Sequence, residues 1–168
     1  MLLCSLSATA PQTMPNISCN AEGDFAVAWQ SVEDGQVMIK MRGFNSNGTP
    51  KFSTKRVAVT GRVQNRRPGI SMASDAEIVV VWEAQGANNT SIDAMMRGYR
   101  YNGGLRFGVR AVHNDVRGRQ QKPSVSHDRL GNFVVAWDDD RDGNGYMEVF
   151  TAKFNSLGQA IQGVANHF

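Results

Sequence analysis

The run Asp138-Asp139-Asp140-Arg141-Asp142-Gly143 sets carboxylates at alternate positions, Asp138, Asp140 and Asp142, ahead of a glycine. Alternate carboxylates that converge on one hard cation, with Gly allowing a sharp turn, are how a calcium loop opens. The later ligands are out of register: the twelfth position is Val149, and Glu148 falls one residue early. A metal-free Asp/Gly-rich hairpin accounts for the same residues. Calcium is thus the one cofactor the sequence suggests, through these three carboxylates.

Basic side chains cluster as well. Arg62, Arg66 and Arg67 precede Pro68, and Arg117, Arg119 and Lys122 precede Pro123. The planar fork of Arg suits carboxylate, sulfate or phosphate groups. These two segments read as an anion-binding face for acidic glycans, lipid headgroups or an acidic protein. Solvated turns with Arg–Asp pairs are the alternative. A net charge of +3 and the lack of aromatics between the basic residues argue against nucleic acid.

Catalysis finds little support. His113, His127 and His167 have no Cys or carboxylate at metal-ligand spacing. Asp138 and Asp140 with His127 are the only acid/base candidates. Ser18, Ser71 and Ser126 recur at regular intervals, whereas a nucleophile occurs once per site. No phosphate-cradling glycine motif and no S-x-D-x-G-x-x-W box is present. The expectation is a chain that is not an enzyme.

The elements that position these residues follow from internal repetition. The three tryptophans, Trp29, Trp82 and Trp137, lie 53 and 55 residues apart, and Pro15, Pro68 and Pro123 keep the same spacings, as do the three serines. Each unit reads Pro-x-[Ile/Val]-Ser, a turn, an apolar run ending in Trp, a polar loop, an extended run, a Gly turn and a last extended run. The units span residues 15–60, 68–113 and 123–168 of a single domain covering 1–168. Apolar residues stand at consecutive positions in Val79-Val80-Val81, which needs a strand buried on both faces. Stacked blades provide that. The predicted fold is all-β, with three four-stranded antiparallel propeller blades (half of a six-bladed ring) and almost no helix. Methionines such as Met38, Met41, Met95 and Met96 fall on the third strands as packing residues.

Three blades do not close a ring, since propellers have four to eight. Residues 1–5 fall where an outer strand lies in the later units, and are expected to complete a preceding or partner blade. Two chains pairing into a six-bladed dimer, or docking on a larger complex, are the expected outcomes. Cys4 and Cys19 are too few for a disulfide framework and read as separate thiols. Four N-x-[ST] sites, at Asn16, Asn47, Asn88 and Asn89, are near chance in so Asn-rich a chain. No apolar run approaches the ~20 residues that span a bilayer.

The third unit, Gly131-Asn132-Phe133-Val134-Val135-Ala136-Trp137-Asp138-Asp139-Asp140-Arg141, followed by Met147 to Phe154 and Gly158, resembles repeats of secreted bacterial surface propellers. Their blades read G-x-[FY]-V-V-x-W-x-D-x-R, a gap, then a strand and a Gly turn. The first two units lack the Asp-x-Arg step. The resemblance implies an extracytoplasmic β-propeller used for binding or scaffolding, with Asp139 paired to Arg141. The functional expectation is a non-catalytic scaffold or protein-binding subunit that completes its ring by association. The alternative is a lectin-like module for anionic glycans or headgroups.

Overall fold

A computed structural model describes residues 11–167 except 59–63, 76, 87–90 and 116. The expected outer-strand segment 1–5, Cys4, Arg62, Asn88 and Asn89 lie outside the described residues. Twelve strands and no helix occur among those described. The first blade holds β1 (Gln12–Cys19), β2 (Phe25–Glu33), β3 (Gln36–Phe44) and the short β4 (Lys55–Arg56). The second holds β5 (Gln64–Met72), β6 (Ile78–Gln85), β7 (Ile92–Tyr99) and β8 (Leu105–Ala111). The third holds β9 (Gln120–His127), β10 (Phe133–Asp139), β11 (Glu148–Phe154) and β12 (Ala160–His167). Neighbouring strands within a blade pair antiparallel. One parallel bridge, Val37 to Gln64, joins the first two blades at their edge.

The consecutive apolar residues of β6 divide between two cores. Ile78, Val80 and Trp82 pack with Ala26, Ala28, Ile39 and Met41 of the first blade. Val79 and Val81 pack with Phe133, Val135 and Trp137 of the third. Successive side chains of a strand point to opposite faces, so a strand between two blades has no solvent side. This is the propeller stacking that the sequence pattern required.

Each seam is roofed by a glycine turn. Gly103 and Gly158 adopt φ +76° and +68°, and a Cβ on them would lie 2.6 Å from the Phe52 ring and 2.9 Å from the Phe107 ring. Both the left-handed backbone and the ring beneath exclude a side chain. Gly103→Ala is therefore expected to destabilise by about 1–3 kcal/mol, from backbone strain and overpacking. Urea midpoints at constant slope measure this; an unchanged midpoint would show that Phe52 yields freely.

Candidate axial binding site

The inner strands β1, β5 and β9 lie side by side, with β5 packed between the other two. Each carries a register shift at its proline: between Thr13 and Asn16, between Arg66 and Gly69, and opposite the Ala136/Asp138 step. At each shift the residue before proline is left-handed: Met14 (φ 51°), Arg67 (φ 50°) and Lys122 (φ 50°). A side chain with positive φ is uncommon, and strain of this kind concentrates at binding sites.

What holds the second and third bulges is a polar group at one repeated position, the residue after Trp. Gln30 Oε1 accepts the Arg67 backbone N–H at 2.9 Å, and Glu83 Oε1 accepts that of Lys122 at 2.8 Å. Each brace crosses from one blade to the next. Glu83, whose side chain is buried, also receives the Arg67 guanidinium at 2.8 and 3.1 Å. Asp138 Oδ2 receives Lys122 Nζ at 2.8 Å.

The three strained triplets, Met14-Pro15-Asn16, Arg67-Pro68-Gly69 and Lys122-Pro123-Ser124, line one open pocket of about 350 Å³. Arg67 and Lys122 stand at it exposed, each beside its own carboxylate. Two cations and two anions leave this rim neutral and rich in both donors and acceptors. Such a surface matches hydroxyl groups, which donate and accept at once.

The predicted anion-binding cluster is only partly assembled here. Arg67 and Lys122 reach the pocket, but from strands β5 and β9 and not from the connecting loops the sequence suggested. Arg66, also on β5, is exposed and donates to Gln64 Oε1 at 2.9 Å. Arg117 is held by Asp115 through bonds of 2.6 and 3.0 Å, which keep the Asp115 carboxyl well below the usual carboxylate range. The Arg119 carbonyl accepts the Asp140 N–H at 3.0 Å, so the loop joining the second and third blades does lie against the Asp138–Asp142 hairpin. Arg67, Lys122 and Arg117 are thus each matched by a carboxylate, whereas Arg66 is bonded to an amide.

The calcium loop does not form from its three carboxylates. Asp138 is engaged by Lys122, and Asp142 accepts from Asn144 Nδ2 at 2.7 Å. No group of three metal-ligating side chains occurs among the described residues. The acid/base grouping is not assembled either. His127 pairs with Phe133 at one end of β10, while Asp138 pairs with Gln121 at the other. His127 Nδ1 lies 2.9 Å from Ser71 Oγ in the seam between blades.

Asp139 and Arg141 do pair, at 2.6 Å. The same carboxylate accepts Trp137 Nε1 at 2.8 Å and Gln120 Nε2 at 3.2 Å, and the Arg141 guanidinium lies 3.8 Å from the Phe150 ring centre. In the second blade Asn65, at the position equivalent to Gln120, takes the carboxylate's role: its Oδ1 accepts Trp82 Nε1 at 3.1 Å. The Trp-x-Asp-x-Arg step is thus a brace inside the blade. The left-handed bulges had no signal in residue type, since Met, Arg and Lys are not residues that favour this conformation; only the threefold X-Pro spacing marked the place.

No family model matches the chain, and no curated protein does. Solved structures do. An α-L-arabinanase of Penicillium chrysogenum, complexed with arabinobiose, superposes with a TM-score of 0.65 at 13% identity, over 94% of this chain and 49% of the other. A GH93 α-L-arabinofuranosidase of Fusarium graminearum gives 0.64 at 10% identity, over 98% and 52%. A putative glycoside hydrolase of Bacteroides ovatus gives 0.52 at 11%, over 90% and 48%. The chain thus spans about half the length of these structures. The expectations of a non-catalytic scaffold and of no enzyme are corrected by them, because the similar propellers are glycoside hydrolases; the glycan-binding alternative stands closer. At such low identity the likeness shows the fold, and the fold is a β-propeller of three blades.

Proposed function

We propose that the chain supplies half of an axial glycan site in a propeller of the glycoside-hydrolase type. The observation that carries this reading is the convergence of three strained X-Pro bulges, two of them braced from the preceding blade, on one pocket with Arg67 and Lys122 at its rim. Strain kept at three equivalent positions, all facing one cavity, is the signature of a surface shaped for a ligand. The neutral rim favours a neutral oligosaccharide over a charged one. Arabinose-containing oligosaccharides are the first candidates, by the fold likeness.

Hydrolysis of a glycosidic bond needs two carboxylates flanking it. Glu83 is consumed by Arg67 and by the Lys122 N–H, which leaves Asp138 as the freer carboxylate at this rim. In this reading the second comes from the blades that complete the ring. A glycan ligand also fits a protein working outside the cytoplasm, as the surface-propeller resemblance implies. No helix among the described residues is long and apolar enough to cross a membrane.

Calorimetric titration with neutral arabino-oligosaccharides and with a uronic-acid oligosaccharide tests the reading. Saturable binding of a neutral sugar is expected. Replacing Arg67 and Lys122 together by Ala should weaken it at least about tenfold, near 1.4 kcal/mol. Binding of the acidic sugar alone, or of neither, would overturn it. Release of reducing ends from the bound sugar reads hydrolysis separately.

A further inference from the structure

The seam between consecutive blades is built the same way twice. Ser18 Oγ accepts the Met72 N–H at 3.0 Å, and Ser71 Oγ accepts the His127 N–H at 3.1 Å. Beside them Gln30 accepts the Arg67 N–H, and Glu83 that of Lys122. In every case the acceptor belongs to the preceding blade and the donor to the following one. By repeat position the third blade offers the next acceptors, Ser126 and Asp138. The first blade offers the matching donors, the N–H groups of Cys19 and Met14.

Exposure shows that both ends lack a neighbour on their inner halves. Ile17 is 63% exposed, whereas its equivalent Ile70, covered by the first blade, is 6% exposed. Val134 is 40% exposed, against 3% for its equivalent Val79. The outer halves differ. Trp29, Met38 and Phe44 of the first blade are already buried. On the third blade Thr151 and Lys153 stand where Met96 and Gly98 pack in the second. The open, complementary surfaces are thus Met14, Ile17 and Cys19 at one end, with Ser126, Val134 and Asp138 at the other.

From this complementarity we propose that a second copy of the chain docks head to tail on both ends, closing a six-bladed ring through two equal seams. A seam that joins different surfaces closes when its rotation returns to the start, and three blades that match half of a propeller return after two copies. Ser126 and Asp138 of each copy then receive the Cys19 and Met14 N–H groups of the other. The axial pocket gains its other half from the partner. The inference rests on the half-ring part of the proposed function and not on the identity of the sugar.

Sedimentation velocity over a range of protein concentrations tests it. The mass should rise from 18.4 kDa toward twice that value as concentration increases. A folded chain that stays at the single-chain mass throughout, as when other blades of one longer polypeptide complete the ring, would overturn the proposal, as would a larger assembly. Ile17→Glu and Val134→Lys alter side chains already exposed in the single chain, so each variant should fold, read by an unchanged β-sheet circular dichroism. Each alone should be monomeric. Their equimolar mixture should recover the dimer, because one seam is then untouched and the other sets a carboxylate against an ammonium. Dimers of the single variants, or a mixture that stays monomeric, would count against it. Sugar titration of the same samples separates loss of the dimer from loss of the ligand.

Discussion

Replacing Asp139 by Ala is expected to cost about 3–5 kcal/mol of folding stability, the range for removing one partner of a buried ion pair. Its side chain is fully buried, and three donors depend on it: Trp137 Nε1, Gln120 Nε2 and the Arg141 guanidinium. Burial alone pushes the carboxyl upward, but the bonds from Arg141, Trp137 and Gln120 outweigh it and hold the group below its ordinary value. Without the carboxylate, a guanidinium stays packed on Phe150 with no counter-charge. Asp139→Asn keeps an acceptor for Trp137 and should lose less. Asp142→Ala, in the exposed hairpin, should lie within about 0.5 kcal/mol of the parent. Urea unfolding of the three variants makes the comparison; a loss below about 1 kcal/mol in Asp139→Ala would show that the brace is not structural.

The second large effect is a loss of stability on mild acidification, through His127. Burial in the seam pushes its imidazole down to about 4 from an ordinary 6.5, against the weaker pull of Asp75 and Asp128. The folded state therefore prefers the neutral ring. That preference is fully present above pH 6.5 and is lost as pH falls from there through about 4. The difference is worth about 3 kcal/mol. The ring also packs beside Phe133, with centroids 5.4 Å apart. Melting curves between pH 7.5 and 4.5 should show a steady fall in Tm. His127→Gln, which does not titrate but can still meet Ser71, should flatten that slope. A parallel slope in the variant would place the acid sensitivity elsewhere.

Much of the architecture is legible in the sequence because it is written in residue types. Pro and Ser recur within each inner strand and Trp within each second strand, and Val79-Val80-Val81 demands two neighbours. The pairing of Asp139 with Arg141 follows from the resemblance of the third unit. The site was less legible for a physical reason: Arg66, Arg67 and Lys122 lie near prolines and look like loop residues, but they continue as strands β5 and β9. The backbone accommodates the proline with a bulge instead of breaking. The groups that hold the Arg67 and Lys122 bulges, Gln30 and Glu83, lie some 40 residues away, and no local pattern carries that information. The alternating carboxylates pose a related difficulty. Spacing along the chain says that Asp138, Asp140 and Asp142 could converge, whereas the fold decides what they meet, Lys122 for Asp138 and Asn144 for Asp142.

The division of β6 between two cores has a consequence for how the three units can diverge from one another. A strand enclosed on both sides has no position at which drift is free, so the middle blade should hold most closely to the shared pattern. The end blades meet a neighbour of their own chain on one face only. The third blade differs on the face that meets no other blade of its chain, with Thr151 and Lys153 where the other two units keep methionine and glycine.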